Sequence, residues 1–234
     1  MIPANFHING NIPEVLFVNG VKAWEQVQPT DSETFTASGT FTVPLGTYEV
    51  TICMCAGAGA GAKWSDNPES AGYLGSGGGG QAGQIISQIV EVTPSQEVTV
   101  TIGRGGYGST VTQSPGEDGF DSSFGAVVAS GGSGGTISSG TAVYAGNGGT
   151  SESCGGTFSH GTATLNFAVA SGTTVHLFGG EAGMFGSGGV GRNGVMNGGD
   201  GGVGAGGGCG QYPSSAAGRG GHGGNGRCVV TWQI

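Results

Sequence analysis

The sequence predicts a mainly β, partly irregular fold. An N-terminal antiparallel β domain is followed by a glycine-rich sandwich of stacked polyglycine II helices, with loops gathered at its distal end. Three observations carry this. Strand-type alternation fills residues 31 to about 128. Beyond it, glycine recurs in runs with a period of three. No stretch shows helical periodicity with caps. The boundaries drawn are 1–128 for the N-terminal domain (an apolar arm, 1–30, plus the β body, joined by a returning strand at 227–234) and 129–226 for the glycine-rich domain.

The arm is poor in glycine and mixes Asn-Gly and Pro breaks with Ile2, Phe6, Ile12, Leu16, Phe17 and Trp24. Its pieces are too short for a core of their own, so it is expected to pack on something else. In the body, "ETFTASGTFTVPLGTYEVTICMCA" alternates around Phe35, Phe41, Val43, Tyr48, Val50 and Ile52. "QAGQIISQIVEVTPSQEVTVTIG" offers two runs broken at Thr-Pro-Ser, with Val90, Val92, Val98, Val100 and Ile102 in step. "SSFGAVVAS" reads as one further short strand. "RCVVTWQI" is the conventional strand that closes the chain and is expected to return to the same sheet.

Glycine supplies 56 of 234 residues. Ordering a residue costs roughly 1–2 kcal/mol of backbone entropy, with Gly at the expensive end. In "NGGDGGVGAGGGCG" (197–210), Gly198, Gly201, Gly204, Gly207 and Gly210 share one row when counted in threes. "GRGGHGGNG" places Arg219, His222 and Asn225 on one row and glycine on the other two; "GRGGYG" and "SGGSGGT" repeat the scheme. Three residues per turn is the polyproline II repeat, in which every backbone polar group points outward and needs a neighbour. Rods of this kind bonded to one another gain about 1 kcal/mol per N–H···O bond, the right size to offset the entropy. In rods of roughly 28–37 Å that turn back at both ends, the segments of ordinary composition become loops on a stiff base. Collagen needs long Pro-rich triplets, and a calcium-binding β-roll needs tandem nonads; neither is present.

The formal net charge is −9 with 6 Lys+Arg, which disfavours nucleic acid and anionic membranes as partners. A secretory signal and a bilayer-spanning apolar run are both missing from the sequence, so no membrane insertion and synthesis as a soluble chain in a cytoplasm are expected. The five cysteines, Cys53, Cys55, Cys154, Cys209 and Cys228, read as reduced thiols, with Cys53 and Cys55 on one face of a strand. No metal site is expected, since no C-x2-C pair accompanies His160, His176 or His222. No cofactor and no catalytic residue are expected either. Cys154 lacks a base placed by sequence, and Glu117, Asp118 and Asp121 in "PGEDGFD" read as a turn.

On "TFTVPLGTYEVTICMCAGAGAGA", "GGGGQAGQIISQIVEVTPSQEVTVTIGRGG", the triplet runs and the closing "GGHGGNGRCVVTWQI", the chain resembles the tip adhesins of long tail fibres in T-even-type bacteriophages. That resemblance implies an N-terminal attachment domain capping the distal end of a trimeric tail-fibre protein. It also implies a polyglycine II receptor-binding domain whose distal loops bind a host outer-membrane protein, porin-like, or lipopolysaccharide, in a protein located at the fibre tip of the virion. An assembly chaperone of the fibre and an ice-binding polyglycine bundle stay open as alternatives. The receptor contacts expected are the large side chains of the loop segments: Tyr144, Phe158, His160, Phe167, His176, Phe178, Met184, Phe185, Met196 and Tyr212, with Leu165 beside them. Fibre attachment is expected from Ile2, Phe6, Ile12, Leu16, Phe17 and Trp24. His222, beside Arg219, reads as a solvated flank.

Overall fold

The computed structural model describes residues 15–18, 21–25, 29–66, 75–77, 79–111, 114–139, 185–189, 197–213 and 219–234. In chain order its strands are β1 (Val15–Val18), β2 (Val21–Glu25), β3 (Thr30–Phe35), β4 (Gly39–Thr42), β5 (Glu49–Cys55), β6 (Lys63–Asp66) and β7 (Gly75–Gly77). They are followed by β8 (Ile85–Glu91), β9 (Glu97–Thr101), β10 (Ser122–Phe124), β11 (Val127–Ala129), β12 (Ile137–Ser139), β13 (Gly210–Pro213) and β14 (Arg227–Gln233). No helix occurs among the described residues.

Alternation builds the body. In β5, Val50, Ile52 and Met54 are buried while Glu49 and Thr51 are exposed; in β9, Val98 and Val100 are buried between exposed Glu97, Thr99 and Thr101. The result is two antiparallel four-stranded sheets, in the orders β3-β14-β5-β8 and β11-β10-β9-β4. As expected, the closing strand returns to the body: β14 inserts between β3 and β5. The inner faces meet over Phe41, Val43, Ile52, Met54, Val100, Phe124 and Val230. Phe41 stacks at a tilt on Phe124 (5.9 Å) and Trp232 (5.4 Å). Each fully buried aliphatic or aromatic side chain here contributes about 1.5–3 kcal/mol. One expectation changes: "SSFGAVVAS" is two strands, because Gly125 adopts φ +56 and closes the β10–β11 hairpin.

The glycine-rich part is built from backbone rods. Ala56, Gly57 and Ala58 donate to the carbonyls of Gln84, Phe120 and Gly224; one turn later Gly59, Ala60 and Gly61 donate to those of Gln81, Glu117 and Gly221. Successive N–H groups thus point to three different neighbours and return to the first after three residues, the polyglycine II repeat. Partner numbers fall by three as donor numbers rise by three, so these neighbours run antiparallel. In the other sense, the carbonyls of Gly57, Ala58, Gly59 and Ala60 accept from Gly132, Gly106, Gly207 and Gly135. Rod 56–62 is therefore surrounded by rods 79–84, 116–121 and 219–226, which receive its N–H groups, and rods 103–109, 130–135 and 205–209, which donate to its carbonyls. The ring closes on itself: Gln81 bonds Ser133, Gly119 bonds Gly132, Phe120 bonds Arg104, Gly223 bonds Gly106, Gly221 bonds Gly208 and Gly80 bonds Gly207. Two further rods, 198–202 and 186–189, lie outside it through Gly201→His222, Gly202→Ser187 and Gly189→Gly206.

The rods differ from the sequence reading in length and in place. "AGAGAGA" continues the two-residue alternation of β5, yet it forms the central rod, with Ala56, Ala58, Ala60 and Ala62 fully buried. At Gly59 a Cβ would sit 2.0 Å from the carbonyl oxygen of Ser133. The run 197–210 is not one long rod. Gly204 adopts φ +66 and Ala205 bonds back to Gly202, folding the run into two shorter antiparallel pieces. Rods of four to eight residues span about 12–25 Å at ~3.1 Å per residue, shorter than expected. Finally, residues 116–121 are a rod of the ring and not a turn.

Candidate functional site

Each body strand that meets the block continues directly into a rod or receives one. β5 runs into 56–62, β9 into 103–109 and β11 into 130–135, while 79–84 enters β8, 116–121 enters β10 and 219–226 enters β14. All of these rods therefore have one end on the sheets. Their other ends come together at the face remote from the sheets, where the connections beginning at 63, 110, 136 and 210 leave the block.

That far end is knit by short ladders. β13 pairs in parallel with β6, Gly210 opposite Lys63 and Tyr212 opposite Ser65. β12 pairs antiparallel with β7, Ile137 opposite Gly77. Lys63 is buried, with its Nζ donating to the carbonyl of Thr110 (2.8 Å) and its backbone N–H to that of Ser114 (3.1 Å). A buried ammonium without partners is costly; the carbonyl of Thr110 holds it and ties the 109–115 connection to the root of β6. Val111 is exposed beyond this knot, with Ser109 Oγ donating to its carbonyl.

The flanks are closed by the polar third row. Asp118 and Asp121 accept the N–H groups of Gly134 (2.6 Å) and Gly131 (2.8 Å). Asn225 Oδ1 and His222 Nδ1 accept those of Gly105 and Gly108 (both 2.9 Å). Asn197 and Asp200 do the same for Arg219 and His222. These side chains take outward N–H groups that no further rod receives, so the lattice ends in side-chain acceptors. His222 is consequently an acceptor in the flank, with Tyr107 edge-on at 5.5 Å, and not merely solvated.

Two ion pairs lie in the same rows. Arg104 bonds both oxygens of Glu117 and stacks on Phe120 (4.1 Å) and Tyr107 (4.6 Å). Arg219 bonds both oxygens of Asp200. The bond from Arg104, then the N–H of Tyr107, holds the Glu117 carboxyl below its ordinary value. The bond from Arg219, more than the N–H of His222, does so for Asp200.

The expected contact residues distribute as follows. Tyr212 lies on β13 at the far end. Phe185 lies at the sheet end, half-buried against Cys55, Ala82, Ile85 and Ala205. Tyr144, Phe158, His160, Leu165, Phe167, His176, Phe178, Met184 and Met196 fall outside the described residues. In the arm, Leu16, Phe17 and Trp24 belong to the β1–β2 ribbon, where Leu16 is opposite Trp24; Ile2, Phe6 and Ile12 fall outside. Lys63, Val111 and Ile137 went unnoticed in the sequence because they sit at rod ends, where the glycine period stops without any further signal.

The thiols need one correction. Cys53 is disulfide-bonded, whereas Cys55 and Cys228 are free thiols, buried like Cys209. The register does place Cys53 and Cys55 on one face, opposite Val229 and Arg227. Burial separates their chemistry: Cys53 is half-buried, and Cys55 is enclosed with its thiol pushed up to about 12. Among the described residues no three His, Cys, Asp or Glu side chains form a metal-holding group, and no helix is long and apolar enough to cross a membrane.

A family model described as a glycine-rich domain matches residues 32–233, and the chain belongs to that family. No curated protein matches it.

Proposed function

We propose that this glycine-rich-domain chain is a tip adhesin of a T-even-type phage long tail fibre, a binding protein and not an enzyme. Its N-terminal domain seats on the distal end of the trimeric fibre protein. Its connections at the far end of the glycine block bind a host outer-membrane protein, porin-like, or lipopolysaccharide. The observation that carries this reading is that rods of both chain directions have one end on the sheets and the other at a single far face, so the connections that leave that face start from one end of a stiff base. Loops on such a base can vary without loss of the scaffold, as recognition of changing receptors requires. A site of this kind gains affinity from pre-ordered backbone at its root, because less entropy is lost when the partner arrives.

The test uses the purified chain as a competitor. It is expected to block adsorption of the phage to its host. Exchange of the segments within 137–217 for those of another such adhesin is expected to change host range with the melting temperature retained. A host-range change produced by exchange of residues 1–30 alone would refute the assignment of roles.

A further inference from the structure

We propose that the β body carries, at its end remote from the glycine block, a docking face for a protein surface rich in lysine or arginine. This rests on the attachment half of the reading above and names the chemistry of that contact.

The turn 44–48 and the adjoining ends of β5, β8 and β14 enclose a shallow groove of about 430 Å³, lined among others by Tyr48, Glu49, Thr51, Ile89, Thr231 and Gln233. Large apolar side chains stand out of this end: Leu45 is 85 % exposed, Ile234 72 %, Tyr48 66 % and Ile89 65 %. Ile89 is opposite Thr51, which is opposite Thr231, so it lies on the outer face of the sheet. Scattered apolar side chains are ordinary on a surface; here Tyr48 and Ile89 line one groove, and Leu45 stands in the turn beside it.

The charge pattern identifies the occupant. Glu49 and Glu91 are directly opposite across β5 and β8, both exposed. Like charges at opposed positions destabilise a sheet. Among the described side chains, the cations are elsewhere: Lys63, Arg104 and Arg219 are in or on the glycine block, and Arg227 is at its junction with β14. An apolar centre beside carboxylates that have no cation near them among the described side chains is complementary to a protein surface that brings Lys or Arg to Glu49 and Glu91 and covers Tyr48 and Ile89. The charges steer and register the contact, and the apolar groups are desolvated in it.

The experiment adds purified protein to phage particles assembled without it and measures the bound fraction by sedimentation. Glu49→Gln with Glu91→Gln, and separately Ile89→Thr, are expected to weaken attachment by about tenfold or more. The double variant keeps or raises the melting temperature, because it removes a repulsion. Attachment of the wild type is expected to weaken with added salt, and every variant is expected to block adsorption to cells as well as the wild type does. Variants that attach like the wild type would overturn the docking face while leaving the adhesin reading in place. A wild-type chain that does not attach at all would overturn both.

Discussion

Replacement of Gly59 by Ala tests the packing of the central rod most directly. The new Cβ would lie 2.0 Å from the carbonyl oxygen of Ser133, 2.3 Å from its carbon and 2.7 Å from the nitrogen of Gly134. These are backbone atoms, so no side chain can swing aside, and rod 130–135 must retreat by about 1.4 Å to reach an ordinary contact. Three of the bonds at this level tie that rod to rods 56–62 and 79–84: Gly132 to the carbonyl of Gly57 (2.9 Å), Gly135 to that of Ala60 (2.7 Å) and Gln81 to that of Ser133 (2.8 Å). Stretched by that amount they cease to be hydrogen bonds. At about 1 kcal/mol net for each, and more where a buried partner is left unpaired, the loss is about 3–5 kcal/mol. A shift of ~2–4 °C per kcal/mol for a chain of this size gives a melting temperature lower by about 6–20 °C. Ala58→Gly, one residue away, removes a buried methyl without a clash and is expected to cost about 1–2 kcal/mol. Gly39→Ala, where the Cβ meets only the Phe35 ring at 3.5 Å, is expected to be neutral or slightly stabilising. Thermal unfolding followed by circular dichroism or calorimetry ranks the three. If Gly59→Ala melts within about 3 °C of the wild type, the rods are not packed backbone to backbone.

The side-chain acceptors give a local readout. Asp118→Ala is expected to speed amide exchange at Gly134 while leaving Gly132, bonded within the ring, protected; equal rates in wild type and variant would remove Asp118 from that role. The depressed Asp200 and Glu117 carboxyls set the sign of an acid effect. A carboxyl whose folded pKa lies below its unfolded value contributes stability above the unfolded value and loses it as pH falls through the folded one. Melting temperature is therefore expected to drop as pH falls below about 4, with a shallower drop in Asp200→Asn. The effect is small because both pairs are largely solvated, and superimposable curves would count against the pairing. Burial pushes the Cys55 and Cys228 thiols up to about 12. Iodoacetamide at pH 8 is accordingly expected to leave both unlabelled in the folded protein and to label them after denaturation, as read by mass spectrometry.

Much of the body was legible because its signals are local. Val50, Ile52, Val98 and Val100 alternate with polar neighbours, and a pleated strand turns that alternation directly into a buried face. The returning strand was legible from "RCVVTWQI" for the same reason. The rods were legible only where a third row carries a marker, as with Arg219, His222 and Asn225. In "AGAGAGA" the two-residue repeat is shared with strands, and the three-fold rod appears only once six neighbours are present to bond it. The fold-back at Gly204 left no trace in a run where every residue is small, because glycine accepts both hands of the backbone.

The sequence by itself determined composition-level properties: an all-β body, a glycine-rich block too poor in side chains for an apolar core, and a period that sends each backbone group toward a neighbour. The tertiary structure decided which neighbour. It placed residues 56–62 at the centre of a closed ring, assigned Asp118, Asp121, His222 and Asn225 to its outer N–H groups, and turned the far rod ends in one direction. The physical reason is that a strand's burial pattern is written in its own side chains, whereas a glycine rod bonds through main-chain groups that are identical at every position. Only the simultaneous satisfaction of all the rods selects one arrangement among many.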